Sequence, residues 1–219
     1  MNDASIRRLT AVSALMLTAL TLATLPLYFM YSGPPPAGNV FTRSLVGLVS
    51  LVFLLLFVEG FTHLLRRADD ASAWYASLFH SAGLLFLAVA LVAISLEAGV
   101  VFGAPDGSLD PTIHGPLADG NILIHGSIKR LLSAILLVAA GLAILRTRVV
   151  PRSIAHAGFA IAAFNLFFLP SMFFGKDPAR FYSAIGWGNS AFCASFLGWW
   201  ILAVGIALLR RPANGLTTT

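Results

Sequence analysis

The first residues that could do chemistry lie in the sequence FVEGFTHLLRR, residues 57–67, where Glu59 and His63 stand one helical turn apart. Positions i and i+4 share one face of a helix, so Glu59, His63 and Arg66 would form one polar stripe. An acidic side chain at the centre of a membrane helix costs about 2.5 to 3.5 kcal/mol on insertion scales. We therefore expect Glu59 to have a partner, a proton or a function.

His80 is the expected partner of this pair. It lies on the next apolar segment, which starts near Ala73, at a depth similar to that of Glu59. Burial brings the pKa values of carboxylic acids and histidines toward neutrality, where proton transfer is efficient. The sequence thus predicts a catalytic acid–base site made of Glu59, His63 and His80. The alternative is a structural hydrogen bond between a glutamate and a histidine that joins two helices.

A second polar set falls at the opposite ends of the apolar segments. Glu97 stands about two turns before a long loop, where it could neutralise Lys129 in a structural ion pair. Lys129 and its neighbour Arg130 could instead form a cationic vestibule that attracts anionic lipid headgroups, phosphates or carboxylates. Further cations in or near the adjoining loops are Arg43, Lys176 and Arg180.

Asn165 and Trp199 lie inside otherwise apolar segments. Asn165 is followed by Pro170, so a kink would turn its amide toward the bundle interior. Such an amide lines a substrate cavity or, alternatively, bonds two helices together. Trp199 lies near the middle of the last segment, where it could pack against lipid or stabilise a cation over its ring. The predicted substrate-binding residues are Asn165, Glu97, Lys129, Arg130 and Trp199.

We predict no metal site, no disulfide and no cofactor. The acidic residues and histidines in and beside the loop lack a short metal-binding spacing such as H-E-x-x-H, which favours a solvated loop. These residues are Asp106, Asp110, His114, Asp119 and His125. The only cysteine, Cys193, cannot form an intramolecular disulfide or a CxxC motif. A b-type haem held by two of His63, His80 and His156 is the cofactor alternative.

The composition is that of a membrane protein. The 219 residues are 58% hydrophobic and 11% charged, with a mean hydropathy of +0.86, whereas soluble domains contain about 25% charged residues. Segments long enough to cross a bilayer lie near 9–32, 43–65, 73–102, 122–145, 153–174 and 186–209. We predict one all-α integral membrane domain over residues 1–219, a six-transmembrane-helix bundle with a long outer loop at 103–121.

The arginine clusters predict the orientation of the chain. The net charge of +5 comes largely from arginines at 7–8, 66–67, 146–152 and 210–211, which flank the apolar segments and fall on one side of the membrane. By the positive-inside rule, both termini are predicted to be cytoplasmic in a multi-pass protein of the cell membrane. Because these residues do not line one polar face, no nucleic-acid partner is predicted.

Short similar sequences recur along the chain. FHSAG at 79–83 resembles AHAG at 155–158, and GLAILR at 141–146 resembles GIALLR at 205–210. The recurrence is consistent with three repeated helical hairpins.

The pattern leaves several functions open. One is an intramembrane enzyme that uses Glu and His acid–base chemistry to cyclise, isomerise or hydrolyse a lipid-like or isoprenoid-like substrate. An accessory or structural membrane subunit, whose polar residues only hold helices together, is an alternative. A proton-coupled transporter or channel is another, although no two spans carry Gly or Pro interruptions in corresponding places. The predicted partners are membrane lipids and a hydrophobic small-molecule substrate.

Overall fold

The computed structural model describes residues 2–31, 33–104, 108–110 and 117–210, which contain helices and no strand. The α-helices are α1 (Asp3–Phe29), α2 (Ala37–Ala68), α3 (Ala73–Gly103), α4 (Ala118–Leu123), α5 (Lys129–Thr147), α6 (Arg152–Phe167) and α7 (Cys193–Arg210). Short 3-10 helices cover Asp70–Ser72 and Leu169–Phe174, and π-helical turns cover Ile124–Ile128 and Gly188–Phe192. Six helical segments are long and apolar enough to cross a membrane, which confirms the predicted six-helix membrane fold.

The first two helices are longer than hydropathy predicts. α1 begins at residue 3 instead of 9, and α2 begins at residue 37 instead of 43. Asn2 caps α1 by accepting a hydrogen bond from the Ser5 backbone N–H, and Pro36 precedes α2 in an extended conformation. Hydropathy marks only the apolar part of a helix, whereas the backbone hydrogen bonds continue into the polar ends.

The helices pack as a closed ring in the order α1, α2, α3, α5, α6, α7 and back to α1. One end of this ring carries the start of α1 and the end of α7, and we call it the termini end. The other end carries the connections after α1, α3 and α6, and we call it the loop end. Among the spans, the one that contains α5 is the most buried and the one formed largely by α3 is the least.

Aromatic rings fill the centre of the bundle. The Phe61 ring stacks on Phe57 at 5.7 Å between centroids, and it meets the edges of Phe79 at 5.5 Å and Trp200 at 6.4 Å. These rings come from α2, α3 and α7, so one cluster connects opposite parts of the ring.

Glycines allow α1 to lie close to both of its neighbours. A Cβ atom added to Gly205 of α7 would lie only 2.7 Å from the Ala14 Cβ atom, and one added to Gly60 of α2 would overlap Thr10. Small residues at helix contacts are the usual means of close packing in membranes, where lipid removes the hydrophobic driving force between helices.

Three helical segments are irregular at the loop end. α4 and α5 form one span, Ala118–Thr147, that bends at Gly126, whose backbone is non-helical with φ −88° and ψ −108°. α6 ends at Phe167 and is continued by the 3-10 turn that contains Pro170, and a π-helical turn precedes α7. Two of these irregular segments are in close contact: a Cβ atom added to Gly126 would lie 3.1 Å from Asn189 Nδ2 in the turn before α7.

Candidate functional site

The structure brings together two of the three residues of the predicted catalytic site. His80 Nε2 lies 2.8 Å from Glu59 Oε1, so the expected partnership between α2 and α3 forms. His63 does not join them, because its Nε2 atom lies 3.7 Å from Asp3 Oδ1 of α1 instead. The Glu59 side chain is 54% exposed and that of His63 is 44% exposed. Glu59 and His63 therefore lie on the outer surface of the bundle. The acid–base hypothesis required a low-dielectric pocket instead.

The same placement bears on the haem alternative. His63 and His156 are exposed, and His80 is occupied by Glu59 on the outward face. A bis-histidine haem would need two of these rings to face one another across the interior. Their positions give the haem hypothesis no support.

The buried polar groups gather at the loop end instead. Six residues form what we call the loop-end cluster: Arg43, Glu97, His125, Lys129, Arg130 and Asn165. They come from α2, α3, α5, α6 and the π-helical turn Ile124–Ile128. Four of them belong to the predicted substrate-binding set.

Glu97 is the carboxylate of the cluster. Its Oε2 atom lies 3.5 Å from Arg43 Nη2, and its Oε1 atom lies 3.1 Å from His125 Nε2. The expected direct pair of Glu97 with Lys129 is replaced by a chain, because the His125 ring stands between them. Lys129 Nζ lies 3.4 Å from His125 Nδ1. His125 thus has its Nε2 atom beside Glu97 and its Nδ1 atom beside Lys129, and a neutral ring with its proton on Nε2 offers the Nδ1 lone pair to Lys129.

Arg130 lies on the other side of His125. Its Nη2 atom donates to the His125 carbonyl oxygen at 3.3 Å, and its Nη1 atom donates to Asn165 Oδ1 at 3.3 Å. Asn165 in turn donates to the Ile161 carbonyl oxygen at 2.8 Å. The Asn165 amide thus faces the interior, as predicted, although α6 reaches it without a kink and ends two residues later at Phe167.

The cluster carries more positive than negative charge. Its basic side chains are Arg43, Lys129 and Arg130, and its carboxylate is Glu97, which contacts Arg43 but neither of the other two. Arg130 is only 4% exposed, and both of its contacts are to uncharged oxygens. In the described part of the chain, neither Lys129 nor Arg130 has a carboxylate as a direct partner. Buried charge without a countercharge is costly, so this arrangement is suited to an anion.

Buried hydrogen bonds hold the irregular segments around the cluster. Ser127 Oγ donates to the Leu169 carbonyl oxygen at 3.3 Å, which joins the π-helical turn to the 3-10 turn after α6. Asn189 Nδ2 donates to Ser171 Oγ at 3.0 Å and to the Ala184 carbonyl oxygen at 2.9 Å. Irregular backbone at membrane depth is tolerated where protein or a polar site satisfies it. These bonds fix the position of His125 and Arg130.

The cluster has one open edge. The His125 side chain is 37% exposed, whereas Glu97 is 7% and Arg43 is 3% exposed. Lys129 Nζ lies 5.9 Å from the centre of the Phe86 ring of α3. His125 is therefore the side chain through which solvent or a ligand reaches the pair with Glu97.

Trp199, the remaining predicted substrate-binding residue, lies elsewhere. It is 52% exposed on the outside of α7, while the adjacent Trp200 is buried and donates from Nε1 to the Ile154 carbonyl oxygen at 2.9 Å. Successive helix positions are about 100° apart, so only one of two neighbouring tryptophans can face the core.

Sequence reasoning missed two members of the cluster. Arg43 was placed beside a loop because the start of α2 was predicted too late. A signal existed for Arg43, since it stands among apolar residues in VFTRSLVGLV at 40–49. His125 was left out of the predicted site, although NILIHGSIKR at 121–130 was expected to be an interfacial or cavity-lining extension that carries it with Lys129 and Arg130.

Only some of the acidic residues and histidines of the long loop lie within the described residues. Asp106 and His114 lie outside the described residues. Asp119 forms a surface ion pair with Lys176 at 2.7 Å. Over the residues that the structure does describe, no group of three His, Cys, Asp or Glu side chains could hold a metal ion.

The fold and its hydropathy define a polytopic membrane protein with six membrane-spanning helices. Comparison of the chain with protein-family models, with curated proteins and with solved structures found no match.

Proposed function

We propose that this protein is an intramembrane enzyme that acts on the anionic headgroup of a lipid-like molecule at the loop-end cluster. The observation that carries the proposal is the chain of contacts from Glu97 through His125 to Lys129, in which Arg43 contacts Glu97 and Arg130 contacts the His125 carbonyl oxygen. An ionisable group inside a membrane domain is a functional hypothesis by default, because it is costly to keep there.

The cations have the role of holding the substrate. Lys129 contacts the His125 ring, Arg130 contacts the His125 carbonyl oxygen, and both lack carboxylate partners within the described residues. Charge-assisted hydrogen bonds from such groups are stronger than neutral ones, particularly where water is excluded. An anionic headgroup that enters at the exposed edge of His125 would meet both cations.

The pair of Glu97 and His125 has the role of moving a proton. When Lys129 turns to the anion, it leaves the His125 Nδ1 lone pair free to accept a proton from the substrate. Glu97, at 3.1 Å from Nε2, then stabilises the imidazolium. Isomerisation, cyclisation and hydrolysis of a lipid-like molecule all use a proton transfer of this kind.

This proposal keeps the acid–base chemistry expected from the sequence and moves it to other residues. Glu59 lies on the outward face with a 54% exposed side chain, and in the described part of the chain His80 is the residue with which it forms an ion pair. Glu97 and His125 have a similar pairing but are surrounded by protein and cations.

The test uses the purified protein in a neutral detergent with amphiphiles of equal chain length. Laurate and dodecyl phosphate should raise its thermal midpoint, and the uncharged dodecanol should not, since ligands that bind only the native state stabilise it. Arg130→Gln should remove this rise, whereas Arg152→Gln, at an exposed position, should retain it. An unchanged midpoint with every anionic amphiphile would contradict the proposal.

Conversion is tested separately from binding. Lipid extracts incubated with the protein are compared by mass spectrometry, with His125→Gln as the variant and His156→Gln as the matched control at an exposed histidine. We expect His125→Gln to bind anionic amphiphiles and to form no product. Equal product formation by the parent and His125→Gln would exclude His125 as the proton-transfer group.

A proton-coupled transporter is the second candidate. The interruptions at Gly126 and at Pro170 favour it, because transporters bind substrates where membrane helices are broken. Uptake of an anionic amphiphile into liposomes, driven by an imposed pH gradient and without chemical change, would select this function over the enzyme.

A further inference from the structure

We infer that the anion bound by the loop-end cluster is a phosphate monoester carried on a lipid-like tail. The inference rests on the function proposed above and goes further, because it assigns the chemical class of the headgroup.

The first support is the charge of the cluster. Three basic side chains, Arg43, Lys129 and Arg130, accompany one carboxylate, Glu97, in the cluster, and only Arg43 contacts it directly. With His125 neutral, two positive charges remain without a countercharge among the described residues that contact them. A carboxylate or a phosphate diester carries one negative charge, whereas a monoester carries nearly two above its second pKa of about 6. The monoester alone balances the site.

The second support is the set of donors that have no partner. Arg43 Nε and Arg130 Nε are buried, and in the described part of the chain neither has a hydrogen-bond acceptor. Arg43 comes from α2 and contacts Glu97, and Arg130 comes from α5 and contacts the His125 carbonyl oxygen, so the Glu97–His125 contact connects them. Donors from two helices suit a tetrahedral group with three terminal oxygens better than a planar carboxylate with two.

The third support is the position of the open edge. His125 is the most exposed side chain of the ion pairs in the cluster, and the Phe86 ring of α3 lies beside Lys129. Glu97 lies six residues, or about 9 Å, before the end of α3, so the cluster is reached from the loop end of the spans. A phosphate on a tail would enter at His125, with the headgroup at the cations and the tail against the Phe86 ring.

The experiment compares ligands on the unaltered protein at pH 7, in dodecyl maltoside and at equal mole fractions in the micelle. The ligands are dodecyl phosphate, its methyl diester, laurate and inorganic phosphate. We expect the monoester to bind about 10-fold more tightly than the diester or laurate, because it gains one more charge-assisted hydrogen bond. Inorganic phosphate should bind far more weakly than the monoester.

Each contrary outcome has a distinct meaning. Equal binding of the monoester, the diester and laurate would overturn the assignment of the headgroup and leave the proposed function intact. Inorganic phosphate as tight as dodecyl phosphate would overturn the lipid-like tail and indicate a site for free phosphate. Failure of every anionic ligand to bind would overturn both this inference and the proposed function.

A variant tests the charge balance directly. Lys129→Gln removes one of the two uncompensated charges and should weaken binding of the monoester by about 10-fold, with a smaller effect on the diester. Lys176→Gln is the matched control, because Lys176 pairs with Asp119 on the surface. Equal losses for the monoester and the diester would contradict the charge balance, and the ligand comparison on the parent protein decides the matter if Lys129→Gln does not fold.

Discussion

Glu97 of α3 and His125 of the π-helical turn meet at the loop end of the bundle, with Oε1 and Nε2 3.1 Å apart. Glu59 and His80 form a second pair with the same chemistry, and their atoms are closer, at 2.8 Å. The two pairs differ in their surroundings. Glu97 is buried beside Arg43, whereas the Glu59 side chain is 54% exposed on the outer surface. Burial and neighbouring charge therefore distinguish the candidate site from an otherwise similar contact.

The two glutamates should respond differently to neutralisation. Glu97→Gln leaves Arg43 and the other cations without their carboxylate, and loss of one partner of a buried ion pair costs about 3 to 5 kcal/mol. We expect the thermal midpoint in detergent to fall by several degrees. Glu59→Gln is the control, since exposed ion pairs contribute at most about 1 kcal/mol. A loss from Glu59→Gln equal to that from Glu97→Gln would show that burial is not what separates the pairs.

Arg130 and Asn165 should be energetically coupled. Asn165→Ala removes an uncharged acceptor of Arg130 and also removes the side-chain donor to the Ile161 carbonyl oxygen. A double-mutant cycle with Arg130→Gln should give a coupling of about 0.6 to 2 kcal/mol, the range for polar contacts between membrane helices. The free energies are measured by denaturation in mixed micelles. Additive losses would mean that the 3.3 Å contact contributes nothing.

Gly126 should not tolerate a side chain. A Cβ atom there would lie 3.0 Å from the Ala184 carbonyl oxygen and 3.1 Å from Asn189 Nδ2, so Gly126→Ala must displace the segment before α7. We expect a loss of about 1 to 3 kcal/mol, as for overpacking in a core. Gly99→Ala is the matched control, because nothing lies within 4 Å of its Cβ position. A Gly126→Ala protein as stable as Gly99→Ala would contradict this close contact.

The adjacent tryptophans provide a sharp contrast on one helix. Trp200→Phe loses the hydrogen bond to the Ile154 carbonyl oxygen and part of the contact with Phe61, and should cost about 1 to 3 kcal/mol. Trp199→Phe, on the exposed face, should leave the thermal midpoint unchanged. The reverse result would mean that α7 is rotated relative to this structure.

The predicted cytoplasmic position of the termini can be measured with thiol reagents. Cys193 is the only cysteine and is buried, so the parent chain should remain unlabelled. In intact cells, a membrane-impermeant maleimide should react with Lys176→Cys at the loop end and not with Arg148→Cys at the termini end. Labelling of Arg148→Cys alone would reverse the orientation.

The sequence was sufficient for the fold class, since apolar segments of bilayer length leave a helical bundle as the main solution. The third span is an example: hydropathy predicts a helix over residues 73–102, and α3 covers Ala73–Gly103. The sequence also predicted the contact of Glu59 with His80, because helix depth can be counted from the turn between α2 and α3.

The site was harder to predict, because it depends on which face each helix turns inward. Glu97, Lys129, Arg130 and Asn165 were selected for their rarity in apolar segments, and the structure brings them together. His63 and Trp199 were selected for the same reason and face outward. That a polar residue is rare in an apolar segment does not tell which way the helix is rotated around its axis. The position of the His125 ring depends on a π-helical turn formed by tertiary contacts.

The contact of Ala14 with Gly205 has a consequence for the order of assembly. These residues belong to the first and the last of the six spans, and their close packing closes the ring. During synthesis, α1 can pair with α2 as soon as the first hairpin enters the bilayer. The face of α1 that includes Ala11 and Ala14 remains in contact with lipid or the insertion machinery until α7 has been synthesised. Completion of this bundle is therefore necessarily a late, post-insertion event.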